Sequence, residues 1–391
     1  MNQLDYLLSP VAIRERSQQI FDLVTSGNAS WTYHPEKWDQ VVEFVDRVID
    51  ENYPNGDIPF HSRLGHFRPG GIDRTQILLK EWSHFTQEEK AQGLIDLIIP
   101  SVLLDAGAGA QWTYHEKETD LRIGRSEGLG LASLELFKKG WLSDERKAET
   151  NARGLQSLTV AKLEEIFQVT EKNPLIGVAG RLELLQRLGL AIEKRPGEFL
   201  KSFLDQSGKV DALLVLSTLL RKLGPIWPSR FEFEGVPLGD TWSHSKLGAK
   251  GSFASFVPFH KLSQWMSYSL LDALQVVGYE LKNVDRLTGL PEYRNGGLFL
   301  DLGLIQAKNP QDLTRGVRVD EEFTIEWRAL TIILLDQLAL KLQQKRGLTT
   351  ESFPLAKVLE GGSWWAGRKI AKELRPDQSS PIQLISDGTV F

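Results

Sequence analysis

The 391 residues contain no cysteine. That removes disulfides, thiolate nucleophiles and cysteine-based zinc sites from consideration. Long apolar runs are also missing. The longest, ALTIILLDQLAL (residues 329–340), is interrupted by Asp336 and falls short of the roughly 20 residues that a membrane helix needs. The first residues, MNQLDYLLSPVAIRERSQQ, lack the basic start and apolar core of a secretion signal, so a cytoplasmic protein without a membrane partner is expected. No basic block occurs. The formal net charge is −5, with Lys and Arg spread among Asp and Glu. A surface that binds nucleic acid wants a cationic face, so a small molecule is the expected partner. Composition leaves the oligomeric state open.

What is present reads as helix. WDQVVEFVDRVIDENYP places Trp38, Val41, Val42, Val45, Val48 and Ile49 on one stripe, with Pro54 beyond its end. FTQEEKAQGLIDLIIPSVLLDAG opens with Thr86 and Glu89 at capping-box spacing, and its Pro100 predicts a kink or a break. LGLASLELFKKG, KVDALLVLSTLLRKLGP and EEFTIEWRALTIILLDQLALKLQQKRG give three further helices. Strand signals are few, RFEFEGVPL being a short hairpin candidate. The fold class is therefore mainly α with a few short strands. One interlocked unit over 1–391 is expected, or two subdomains, 1–225 and 256–391, joined by the Gly/Pro/Ser-rich stretch 226–255. The closing QLISDGTVF is apolar to its last residue, which predicts a packed tail.

SVLLDAGAGAQWTY (residues 101–114) resembles a methyltransferase glycine loop. Such a loop needs a strand before it and an acidic residue at the end of a second strand about 20 residues on. QWTYHEKETDLRIGRSEG supplies no apolar strand, so no nucleotide-like cofactor is expected. Two readings remain: small residues that let helices approach, or a site loop where Asp105 presents a carboxylate and Trp112 and Tyr114 offer flat faces.

VDRLTGLPEYRNGGLFLDLGLI (residues 284–305) carries more. A short apolar helix is predicted to Leu290, ended by Pro291. A polar turn, Glu292 to Asn295, comes next, and Gly296-Gly297 opens a second helix. This resembles the helix-hairpin-helix of base-excision glycosylases. Lys261, Gln264 and Trp265 stand at the start of another predicted helix. Glu326 and Arg328 sit inside an apolar one, where charge is costly unless paired.

SVLLDAGAGAQWTY, RSEGLGLAS, VPFHKLSQWMSYSLLDAL, LTGLPEYRNGGLFLDLGLI, PIQLISDGTVF and PFHSRLGHFRPGG (residues 59–71) together resemble the uracil catabolism protein four family over nearly the whole chain. The resemblance implies a place in a pyrimidine degradation route that passes through ribosylurea species. FHKLSQ, PEYRNG and IEWRAL are more distantly similar to segments of the queuosine salvage glycosylases. In those enzymes a lysine and an acidic turn residue sit at the N-glycosidic bond, which implies Lys261 and Glu292 here. The turn acid is Glu where that group carries Asp.

These resemblances imply an N-glycosidase, a hydrolase that splits a C1′–N bond and releases urea and ribose 5-phosphate from phosphoribosylurea. Glu292 would face the cation-like sugar carbon, and Lys261 would keep it ionised. Asp105 and Glu326 are the next carboxylates, for a hydroxyl contact or a proton transfer. Arg294, Arg328 and Arg125 would grip a phosphate with planar forks. Trp112 and Trp265 would wall the pocket. Bland readings stand beside these: Glu326 and Arg328 as a buried structural pair, Trp265 as core, Asp105 as a helix cap. His260 either orients its neighbours, lies on the surface or moves a proton. No metal is expected, because His61 and His66 lack HExxH-type spacing. The competing functions are a metal-dependent ureido amidohydrolase and a non-catalytic protein that binds a pathway intermediate or a pathway enzyme.

Overall fold

Apolar residues at helical spacing need a face to bury against, and in the computed structural model they find it in helices. The structure describes residues 2–105, 107–109, 111–227 and 230–385. Its main helices are α1 (Pro10–Thr25), α2 (Trp38–Asn52), α3 (Gln87–Leu103), α4 (Arg125–Lys138), α5 (Val178–Ala191), α6 (Ala212–Lys222), α7 (Lys261–Val276), α8 (Tyr293–Asp301), α9 (Glu322–Arg346) and α10 (Trp364–Leu374). The predicted stripe of α2 is buried from Trp38 to Ile49. The capping box at Thr86 and Glu89 forms at the start of α3, each side chain satisfying a backbone N–H of the other. α9 ends at Gly347, which takes the left-handed φ of 66° that a side chain would resist.

Two local expectations are corrected. Of the kink or break expected at Pro100, the break does not occur, and α3 continues to Leu103. Proline removes the N–H that would bond the carbonyl four residues back. That carbonyl, on Asp96, instead accepts the Thr150 hydroxyl at 2.6 Å, so nothing polar is stranded. The first helix of the expected hairpin is also absent. Residues 284–286 make one 3₁₀ turn, and Leu287 is extended. The supposed polar turn is the beginning of α8, with Glu292 as its N-cap. Gly289 and Pro291 in so short an apolar run disfavour a full helix more than its leucines favour one.

Every sheet among the described residues has two strands, so no doubly wound sheet stands behind the glycine loop. The chain leaves that loop into a polar hairpin, Thr113–Glu116 with Leu121–Gly124. The expected hairpin arm also forms, Glu232–Phe233 with Val236–Pro237. Its turn residues Glu234 and Gly235 both have positive φ, as a tight hairpin of right-handed twist requires. Val317–Arg318 pairs in parallel with Leu384–Ile385. Ala106, Ala110 and the last six residues of the closing segment expected to pack lie outside the described residues, as do Pro228 and Ser229 of the Gly/Pro/Ser-rich stretch.

Contacts divide the chain into two compact units. The first comprises residues 1–61, 228–265 and 283–391, and the second 62–227 and 266–282. In the first, α9 is buried on almost every side over residues 323–335 and packs on α1, while α8 packs on α9 and α10. In the second, α3 packs on α4 and on the 3₁₀ turn Pro196–Phe199. No helix among the described residues is long and apolar enough to cross a membrane.

Candidate functional site

Glu292 begins the site because its chain position forces it inward. The first N–H groups of a helix have no partner within the helix, and Glu292 satisfies two of them. Its carboxylate accepts from Arg294 N at 2.7 Å and Asn295 N at 2.5 Å. Surrounding protein pushes this carboxyl above its ordinary range. The two backbone donors, Lys261 and His61 pull it back, without cancelling the burial. The elbow is held on both sides. Asn295 is fully buried, donates to Leu290 O at 3.1 Å and accepts the Ser363 hydroxyl at 2.7 Å. The Trp327 indole donates to Gly296 O at 3.1 Å.

Lys261 is placed by the N-terminus of α7. His260 adopts φ 48° just before it. This backbone is buried, and its N–H groups are taken by a single residue. Asp240 accepts Lys261 N at 3.0 Å through its side chain, and its carbonyl accepts Phe259 N at 2.9 Å. Arg328 lays both Nη atoms on the Asp240 carboxylate at 2.7 Å each, and its Nε reaches Pro291 O, one residue before Glu292. Burial alone would raise the Asp240 carboxyl, but Arg328 and the N–H donors outweigh it and hold it below the usual range. Asp240 and Arg328 thus tie the Lys261 backbone to the Glu292 elbow. His260 is buried and held below its ordinary pKa mainly by that burial. Its Nε2 donates to Leu7 O at 2.9 Å, an orienting role.

The third wall comes from a stretch that sequence reading passed over. LEGGS, residues 359–363, forms a π turn between the short helix Leu355–Val358 and α10. Such turns widen a helix and re-aim side chains. Here Glu360 accepts the Tyr53 hydroxyl at 3.0 Å and meets His61 Nδ1 at 2.6 Å. The His61 ring lies 5.3 Å from Trp364 and 6.4 Å from Trp265. Trp365 meets Trp364 edge to face, and the Arg368 guanidinium lies over both indoles. Beside Lys261, the buried Gln264 leaves its Nε2 without a partner among the described residues. Two glycines followed by two tryptophans and an arginine, inside a helical stretch, was the available signal. Gly-Gly is costly in a helix and marks a place where the backbone does something else.

The remaining predicted residues lie in both units. Glu326 is not paired with Arg328. It accepts Ser30 N at 2.8 Å and meets His244 Nε2 at 3.2 Å, all in the first unit. Arg294 stacks on Tyr293 and donates Nη1 to Gln378 O. Asp105, Trp112 and Arg125 belong to the second unit. Asp105 pairs with the fully buried Arg63 at 3.1 Å, and Arg63 also meets His66 and Ser101. Trp112 is core, with its indole N–H on Phe167 O at 2.9 Å. Arg125 is exposed at the head of α4, with φ 57°. Among the described residues, no three His, Asp or Glu side chains stand together as a metal site would require.

The first unit therefore gathers a carboxyl of raised pKa, an ammonium, a carboxylate-bound imidazole and indole faces. That set suits stabilising positive charge and moving a proton. A family model described as a protein of unknown function, DUF1688, matches residues 6–391. The protein urg3 of Schizosaccharomyces pombe is 40% identical over 98% of this chain and 98% of its own length. Uracil catabolism protein 4 of Lachancea kluyveri is 38% identical over 100% of this chain and 99% of its own.

Proposed function

The chain belongs to the DUF1688 family, and on that footing we propose that it is an N-glycosidase acting in uracil catabolism. It hydrolyses the C1′–N bond of a small phosphoribosyl compound, phosphoribosylurea, to urea and ribose 5-phosphate. The pathway rests on the name of the Lachancea kluyveri relative. The chemistry rests on one observation: the Glu292 carboxyl sits at the head of α8 with Lys261 and His61 both acting on its charge.

Breaking a C1′–N bond leaves positive charge on the sugar carbon and its ring oxygen. A fixed anion below the ring stabilises that charge without reorganising, because its own donors already hold it. The backbone N–H groups of Arg294 and Asn295 hold Glu292 in this way. Lys261 favours its ionised form and lies where a sugar hydroxyl would bind. Trp265 and Trp364 supply flat faces for the ring. Arg294 spends only Nη1 on a described residue, which leaves donors for the 5′-phosphate. Arg328 acts through Asp240, as a positioning residue for Lys261.

The test is hydrolysis of phosphoribosylurea by the purified protein, read as urea and ribose 5-phosphate released. Glu292→Gln keeps the side-chain length and removes the charge. Its kcat is expected to fall by about 10²–10³, the scale for losing one preorganised electrostatic contact. Wild-type release that is unaltered in both Glu292→Gln and Lys261→Ala would remove this site from the mechanism.

A further inference from the structure

Glycoside hydrolysis needs a second group to handle the proton of water and of the leaving nitrogen. Glu292, bound by two N–H donors, is poorly placed to do both tasks. His61 was weighed in the sequence, with His66, only against a metal site that its spacing does not support, and the structure gives it a different setting. It is 7% exposed. Its backbone is fixed by a hydrogen bond from its N–H to Ala356 O at 3.0 Å. Its Nδ1 meets Glu360 at 2.6 Å. Glu360 is fixed in turn by the Tyr53 hydroxyl and by the π turn that carries it. A carboxylate accepts hydrogen bonds and cannot donate them, so Nδ1 carries a hydrogen, and in the neutral ring Nε2 presents a lone pair. Nε2 makes no hydrogen bond to any described residue. The ring also lies near enough to Glu292 to lower that carboxyl.

Resting on the glycosidase reading, we propose that His61 is the general base and acid of this site, with Glu360 and Tyr53 as its positioning residues. In the step, water's oxygen bonds to C1′ and the C1′–N bond breaks, its electron pair passing to nitrogen. The water proton moves to His61 Nε2 and from there to the leaving nitrogen, which departs as urea. Histidine is restored to its starting state. No oxidant, metal or further reactant is consumed. The π turn has a function in this account. A regular α-helix through 359–363 would aim residue 360 elsewhere, and the imidazole would lose the partner that fixes its tautomer.

Glu360 on the π turn bonds His61 directly, and Glu292 at the head of α8 feels its charge; behind these, Tyr53 reaches Glu360, Lys261 acts on Glu292, and Arg368 lies over the Trp364 indole beside the ring. The experiment is phosphoribosylurea hydrolysis across pH 5–9 by wild type, His61→Gln, Glu360→Gln and Glu360→Asp, each checked for folding by circular dichroism. His61→Gln is expected to lower kcat by about 10²–10⁴, with KM little changed and a limb of the wild-type pH profile lost. Glu360→Gln is expected to shift that limb, and Glu360→Asp to recover part of the rate. A merely structural role for Glu360 would leave the pH profile in place. If His61→Gln does not fold, the two Glu360 variants decide through the same limb.

An active wild type whose folded His61→Gln keeps kcat within about threefold overturns this inference and leaves the glycosidase reading standing. An unmoved limb in Glu360→Gln does the same. A wild type that releases no urea overturns the glycosidase reading, and this inference with it.

Discussion

At the residue scale, the proposed site turns on how much it costs to keep charge on Glu292. Burial makes the neutral form easier to hold, while Lys261 works in the other direction. Removing that ammonium while keeping its length, in Lys261→Met, must therefore raise the Glu292 carboxyl further. Under the proposed mechanism the ionised acid is the active form, so the acidic limb of the kcat profile should move to higher pH. The variant should lose more activity at pH 6 than at pH 8. A limb that stays in place, or moves down, would mean that Lys261 does not tune Glu292. The same raised carboxyl has a consequence for stability. The folded protein keeps this proton to higher pH than the unfolded chain does, so ionising Glu292 opposes folding. Glu292→Gln forfeits part of a helix cap, worth about 1 kcal/mol, at every pH. Unlike wild type, it carries no ionisation cost at high pH. Its melting temperature should therefore lag wild type more at pH 5 than at pH 8. The opposite order would sink the argument.

At the element scale, the helices were readable and their special joints were not. Apolar periodicity gave α2, α3 and α9, because a buried stripe or a fully buried run writes itself into the order of residues. The capping box at Thr86 was legible for a similar reason, its two partners being three residues apart. Glu292 and Lys261 became candidates only through resemblance. The pairing of His61 with Glu360 was not legible, since 299 positions separate its members and the local signals at each residue say nothing of the other. Pro100 misled for the same reason: its orphaned acceptor is satisfied by Thr150, 54 residues from Asp96. The joint between α8 and α10 shows how strict these distant agreements are. A Cβ added at Gly367 would lie 2.3 Å from the Arg294 carbonyl oxygen. That contact is backbone, so it cannot swing aside. Gly367→Ala should cost about 1–3 kcal/mol, the range for overpacking a fixed interface. It should also weaken activity by shifting α10, and with it Trp364 and Trp365, against the Glu292 elbow. Denaturant unfolding checks the first part. A stability within about 0.5 kcal/mol of wild type, ordinary for an unstrained surface change, would show that the two helices are free to separate there.

At the scale of the whole molecule, the chain is acidic overall, with a net charge of −5, yet its proposed substrate is an anion. Local cations must then supply the attraction. In the first unit Lys261 acts on Glu292, Arg294 stacks on Tyr293 and Arg368 lies over the Trp364 and Trp365 indoles, so binding should be local and saturable. Ribose 5-phosphate, the product of the proposed reaction, is the direct probe. A ligand that binds only the folded state at 100 times its Kd adds about 2.7 kcal/mol. Unfolding entropy is about 2.1 cal/mol/K per residue, so 391 residues melting together turn that gain into a shift of about 3 °C. The first unit is roughly half of the chain. If it melts by itself, the same gain gives about twice the shift, and only in its own transition. Scanning calorimetry with and without ribose 5-phosphate separates these cases. Lys261→Ala should weaken the response and Arg125→Ala, in the second unit, should leave it unchanged. A thermogram indifferent to ribose 5-phosphate would deny the sugar phosphate any place in this molecule. A shift abolished by Arg125→Ala but kept in Lys261→Ala would move the site into the second unit, away from Glu292.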